Sequence, residues 1–162
     1  MKELKDYRKN LIEKLVNTAR DFRTASLAVK DPYLPLEEGG WNIHQVAVHT
    51  RDVDSLVYSL RARRTITEDN PEFQNFAGDV YMAEHYNANE SLSEILNAFV
   101  ESVESLAEML RSLPDEAWSR QSRHVTLGSG FTLQTWVERG LAHIQEHLES
   151  VSKGTDAMTS TR

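Results

Sequence analysis

Cysteine is absent from the 162 residues, and glycine and proline are scarce, at seven and four. The first absence excludes disulfides, thiolate metal sites and a cysteine nucleophile, so any metal must be held by nitrogen and oxygen donors. The second removes much of the material of turns and loops and favours helices. No apolar run approaches the roughly 20 residues needed to cross a bilayer. The opening stretch MKELKDYRKNLIEKL is charged throughout. It lacks the apolar segment of a signal peptide, so a cytoplasmic protein is expected. Positive charge is not in excess either. A net charge of −7 argues against a broad phosphate-binding surface, so neither nucleic acid nor a membrane is an expected partner. The local basic cluster Arg61-Ala-Arg-Arg64 reads as cations favoured near a helix C-terminus.

What is present is helical periodicity, in four long segments and with no sustained period-2 alternation. The first runs from about Lys2 to Val29, with Leu4, Tyr7, Leu11, Leu15, Thr18, Phe22 and Ala25 three or four apart. It ends before the two prolines of Asp31-Pro-Tyr-Leu-Pro35. Asn42 is a plausible N-cap for a second helix reaching about Arg64, with Val46, Val53, Leu56, Val57 and Leu60 as its apolar positions. Residues 65–89 are irregular, with room for a short helix over Asp79–Tyr86 or a long loop. Ser91-Leu-Ser-Glu94 matches a capping box and opens the third helix, which stops before Pro114. Pro114–Trp118 reads as one further helical turn, and QSRHVTLGSGF as a connector. Thr132 caps the fourth helix, which is expected to end near Lys153 with Gly154 as its stop. These elements imply a single all-α domain over 1–153, a helix bundle, with 154–162 as a flexible tail.

Six histidines carry the functional signal. His143 and His147 are four apart, so they share a helix face and can converge on one ion. Such spacing arises by chance and is weak alone. The protease motif HExxH is not matched, because Ile144 stands where that motif places its glutamate base. His49 sits among aliphatic positions of the second helix. There it is either a core histidine bonded to a backbone carbonyl or a third ligand at one end of the bundle. Three neutral imidazoles plus an open position describe a catalytic zinc site, and nickel suits imidazole equally. His44 lies too far around the helix to share the face of His49. His85 lies in the irregular region and could approach as part of a lid. His124, beside Arg123, is expected to be exposed.

The motifs Gly40-Trp41-Asn42-Ile43-His44-Gln45-Val46-Ala47-Val48-His49, Gly130-Phe131-Thr132-Leu133 and His143-x-x-x-His147 together resemble the DinB/YfiT-like family of metal-dependent proteins. The resemblance covers most of the chain. It implies an up-down-down-up four-helix bundle, a homodimer, and a divalent metal on His49, His143 and His147. It also implies chemistry on a small-molecule substrate. Relatives include transferases that use a low-molecular-weight thiol cosubstrate, so thiol-dependent S-transfer is the first expectation. Metal-dependent hydrolysis and a non-catalytic bundle are the alternatives.

Around such a site, Glu146 could orient an imidazole, Arg139 could anchor an anionic substrate, and Asp52 or Asp54 could fix His49. Each is otherwise ordinary surface charge. Tyr81, His85 and Tyr86 could cap the pocket, and Trp41 and Trp136 suit a wall or the core. With no cysteine in the chain, any thiol must come from outside.

Overall fold

The computed structural model describes residues 1–160. Helix α1 spans Lys2–Leu27; α2 (Ile43–Val53), a π-helical turn (Asp54–Tyr58) and α3 (Ser59–Thr67) follow one another without a break. After them come strand β1 (Glu72–Phe73), short helix α4 (Gly78–His85), α5 (Leu92–Arg111) and a 3-10 turn (Asp115–Ser119). Strands β2 (Gln121–His124) and β3 (Gly128–Thr132) then lead into α6 (Leu133–Ser160). No helix among the described residues is long and apolar enough to cross a membrane.

Side-chain pairs fix the helix directions. Arg20 pairs with Glu104 and Arg23 with Asn97, so α1 and α5 are antiparallel. Asp54 meets Ser102 and Arg63 meets Ser105, so α2–α3 runs parallel to α5. His49 faces His147, Tyr58 abuts Gly140 and Arg61 covers Trp136, so α6 runs against α2–α3. The four long elements therefore run up, down, down, up. The core between them includes Phe22, Ile43, Ile95, Leu96, Phe99, Leu133, Trp136 and Ile144, each at most 1% exposed.

The expected caps are present. Asn42 Oδ1 accepts from Gln45 N at 2.8 Å, and Gln45 Oε1 accepts from Asn42 N at 2.9 Å, a full capping box. Ser91 Oγ accepts from Glu94 N, and Thr132 Oγ1 from Thr135 N.

Three local expectations fail, each for a physical reason. Leu56 and Leu60, placed on the buried face by the regular period, are exposed, while Val57 and Arg61 are buried. The π turn adds one residue to the spiral and rotates everything after it. Arg61 is thus no solvated terminal cation. Its guanidinium lies 4.8 Å over Trp136 and donates to the Gln74 carbonyl at 2.9 Å.

The connector after the 3-10 turn instead forms β2 and β3, which join β1 in a small sheet of order β1-β2-β3. β1 pairs parallel with β2, and β2 antiparallel with β3 around an irregularity at Ser122/Arg123. Strands of two to five residues are too short to display alternation. Ser122 Oγ ties the sheet to α6, accepting from Trp136 Nε1 at 2.7 Å. It also donates to the Phe131 carbonyl.

Helix α6 continues past Lys153 to Ser160. Gly154 lies within it, where a Cβ would stand 2.4 Å from Leu36 Cδ2. Its missing side chain serves close packing, not termination. Residues 161 and 162 of the expected tail lie outside the described residues.

Candidate metal centre

His49 reaches the site from α2, and His143 and His147 from consecutive turns of α6. Their candidate donor atoms all lie within 4.8 Å of one another. His143 Nε2 and His147 Nε2 are 2.9 Å apart. Two nitrogens each about 2.0–2.1 Å from a tetrahedral ion stand roughly 3.3 Å apart. A few tenths of an ångström of adjustment would therefore seat one cation. The His49 ring centroid is 5.4 Å from that of His143 and 4.9 Å from that of His147.

Electrostatics makes these imidazoles ligands in waiting. Burial, then the neighbouring His147 and His49, push His143 down to about 3. Burial and His49 push His147 down to about 4. Burial also lowers His49, against the opposing pull of Asp79, Asp52 and Glu146. All three are neutral near pH 7, the form that binds a cation. His143 Nδ1 is buried with no hydrogen-bond partner among the described residues. The donor set, its protonation and its spacing fit a divalent ion.

Trp41 forms a wall, its ring 5.1 Å from that of His49. A cavity of about 520 Å³ opens beside His147, lined by Leu36, Glu37, Trp41, Val46, Ser150 and Lys153. A second, of about 420 Å³, lies across Trp41 between α2 and α4, lined by Gln45, Asp79, Met82, Ala83 and Tyr86.

The other candidates disperse. Glu146 is exposed and reaches His49 only as a nearby charge. The Asp52 carboxylate takes Arg51 Nε at 3.0 Å. Asp54 does not touch His49: it accepts from Ser59 and Ser102, and burial raises its pKa to about 6. The Arg139 guanidinium lies over Phe131 at 5.0 Å and Trp136 at 5.9 Å, on the sheet side of α6. His85 is exposed, stacked on Tyr81 and bonded to the Tyr81 carbonyl. It stands outside the histidine cluster. Tyr86 lines the α4-side cavity, and its hydroxyl turns to His44. His124, expected at the surface, is buried: Nδ1 accepts from Thr126 N and Leu127 N, both at 3.2 Å. Trp136 belongs to the core.

Four participants were not singled out by the sequence reading. Tyr58, in the π turn, places its ring 5.3 Å from that of His143. Gly140 makes room for it, since a Cβ there would lie 3.2 Å from Tyr58 Cβ. A glycine inside a strongly helical segment signals such an approach. Gly78, at the start of α4, packs on the His49 ring. Asp79 beside it is the carboxylate acting most strongly on His49. Nothing in the irregular 65–89 stretch ties these two to a helix 30 residues earlier in the sequence.

The fold is similar to that of YfiT from Bacillus subtilis, described as a probable metal-dependent hydrolase with an unusual four-helix bundle topology. The TM-score is 0.85 at 20% identity, over 96% of this chain and 89% of that one. No curated protein matches the sequence. The model of the DinB superfamily matches residues 2–151, and the chain belongs to that superfamily.

Proposed function

We propose that the protein is a metal-dependent enzyme acting on a small molecule, with His49, His143 and His147 holding a divalent ion, zinc or nickel. The observation that carries this reading is the pair of facing Nε2 atoms on neutral, half-buried imidazoles, completed by His49. When bound, such an ion acts as a Lewis acid and makes water or a thiol nucleophilic near pH 7. The chain's own part is to hold three imidazoles deprotonated, to wall the site with Trp41, and to leave a cavity open beside His147.

Hydrolysis gains from two observations. Asp79 sets a carboxylate near His49, the type of group a hydrolytic base requires. YfiT, similar in fold, carries the description of a hydrolase. Thiol-dependent S-transfer is the second reading, favoured by the cavity beside His147, whose Leu36, Trp41 and Val46 walls suit the body of an external thiol. The Leu56 and Leu60 side chains, brought to the surface by the π turn, are the apolar pair a homodimer would use.

Metal content of tag-free protein, followed by turnover on an ester and amide panel with and without added thiols, tests the proposal. Stoichiometric metal with thiol-independent hydrolysis supports the first reading, and thiol-dependent transfer the second. Protein purified and reconstituted without any bound divalent ion would sink both.

A further inference from the structure

Helix α2 opens with two histidines five residues apart, and the metal centre absorbs only His49. His44 is fully buried, and both ring nitrogens are spent on one stretch of chain. Nε2 lies 2.7 Å from the Glu90 carbonyl and Nδ1 2.7 Å from Tyr86 Oη. A carbonyl can only accept, so Nε2 carries the proton and Nδ1 accepts from the Tyr86 hydroxyl. The same stretch is fastened twice more: Arg51 pairs with Glu90, and Tyr33 Oη donates to the Ala88 carbonyl at 2.8 Å. The Tyr33 ring also stacks on His44 at 5.0 Å.

Tyr86 is the C-cap of α4. At the other end of that helix, a Cβ on Gly78 would stand 3.2 Å from His49 Cε1 and 3.7 Å from its Nδ1. Helix α4 is therefore a strut, pinned at one end by His44 and resting on His49 at the other. Met82 is buried between these ends, and the α4-side cavity lies under the strut.

We propose that His44 is a positioning residue for the metal centre: through Tyr86 and Glu90 it holds α4 so that Gly78 fixes the His49 imidazole and the width of the cavity beside Trp41. The inference rests on the three-histidine reading. His44 itself binds no metal. Its hydrogen bonds reach the site through α4 and the turn after it, and His49 is the ligand they orient, the part outer partners play around metal-ligating histidines.

The test compares the full-length wild type with His44→Phe, Tyr86→Phe and Gly78→Ala. Zn²⁺ affinity is read by chelator competition, and backbone hydrogen exchange is followed across 78–90. His44→Phe should still bind one ion per chain, with affinity reduced 10–100-fold and faster exchange confined to 78–90. Tyr86→Phe should move both readouts the same way by less. Gly78→Ala should weaken binding without loosening the stretch. His124→Ala, which removes a buried histidine bonded to Arg61, Thr126 and Leu127 and not to α4, should leave affinity unchanged and so separates positioning from general destabilisation. Wild-type affinity in His44→Phe overturns the proposal; should that variant fail to fold, wild-type affinity in both Tyr86→Phe and Gly78→Ala overturns it equally. A wild type that binds no divalent ion overturns the metal reading itself, and this proposal with it.

Discussion

His44 and His143 are imidazoles largely withdrawn from water on long helices, and their surroundings are opposite. Around His44 every ring nitrogen has a partner, one a tyrosine hydroxyl and one a carbonyl. His124 is of the same kind, its Nδ1 closing a turn by accepting from two backbone amides. Around His143, Nδ1 has no partner among the described residues and Nε2 faces another histidine's Nε2. Burying a polar group costs free energy unless it is bonded. A fold that bonds two histidines to oxygen and amide partners, and turns a third toward two more imidazoles, sets nitrogen donors together as a divalent ion requires. The contrast separates structural imidazoles from candidate metal ligands without any appeal to spacing.

Breaking each side of this contrast should have distinct consequences. The largest effect is expected from His143→Ala or His49→Ala. Either should weaken divalent-metal binding ~1,000-fold, on the order of 4 kcal/mol, with little loss of apo stability. Metal content and competition titration check it, and bound metal unchanged in both variants would refute the triad. Next, His44→Ala should cost about 2–4 kcal/mol in denaturant unfolding, from a cavity and two buried groups left unpaired. One ion per chain should still bind.

Acid should distinguish the two kinds of histidine as well. His143 and His147 titrate in the folded chain at about 3 and about 4, against 6.5 when unperturbed. Below 6.5 the unfolded chain takes up protons that the folded chain refuses. The stability of the metal-free protein should therefore be intact above pH 6.5 and fall as pH drops toward 4. His143→Leu should flatten that fall, and denaturant titrations at pH 7.5 and 5 would show it. The smallest effect is expected from His124→Ala, about 1–2 kcal/mol from two freed amide donors. A larger loss accompanied by loss of metal would join His124 to the site and blur the contrast.

Much of the molecule was legible beforehand because helices write their period into the sequence. The four long segments and the caps at Asn42, Ser91 and Thr132 rest on local rules, while the short helix at Gly78–His85 is one of two readings its sequence allows, a long loop being the other. The candidate ligand set has a related origin. The i, i+4 pair fixes two imidazoles on one face, and the Gly-Trp opening of the second helix, read with that pair, resembled a family that supplies the third. What failed was non-local or rested on a single inserted residue. The π turn rotated Leu56 and Leu60 outward and Arg61 inward, and no periodicity announces it. The strands are too short to alternate. Arg139 was placed near the site by helix spacing, yet Phe131 and Trp136 hold it on the sheet side.

The sequence by itself determined the helices, the absence of any thiol, and which two histidines share a turn-to-turn face, since each follows from residue identity and a 3.6-residue repeat. Only the tertiary structure decided which histidines would be satisfied and which left bare. Partners for a ring nitrogen come from distant chain, as Tyr86 and Glu90 do for His44 from 42 and 46 residues away. The same folding that supplied them there withheld one from His143 and set His49 beside it.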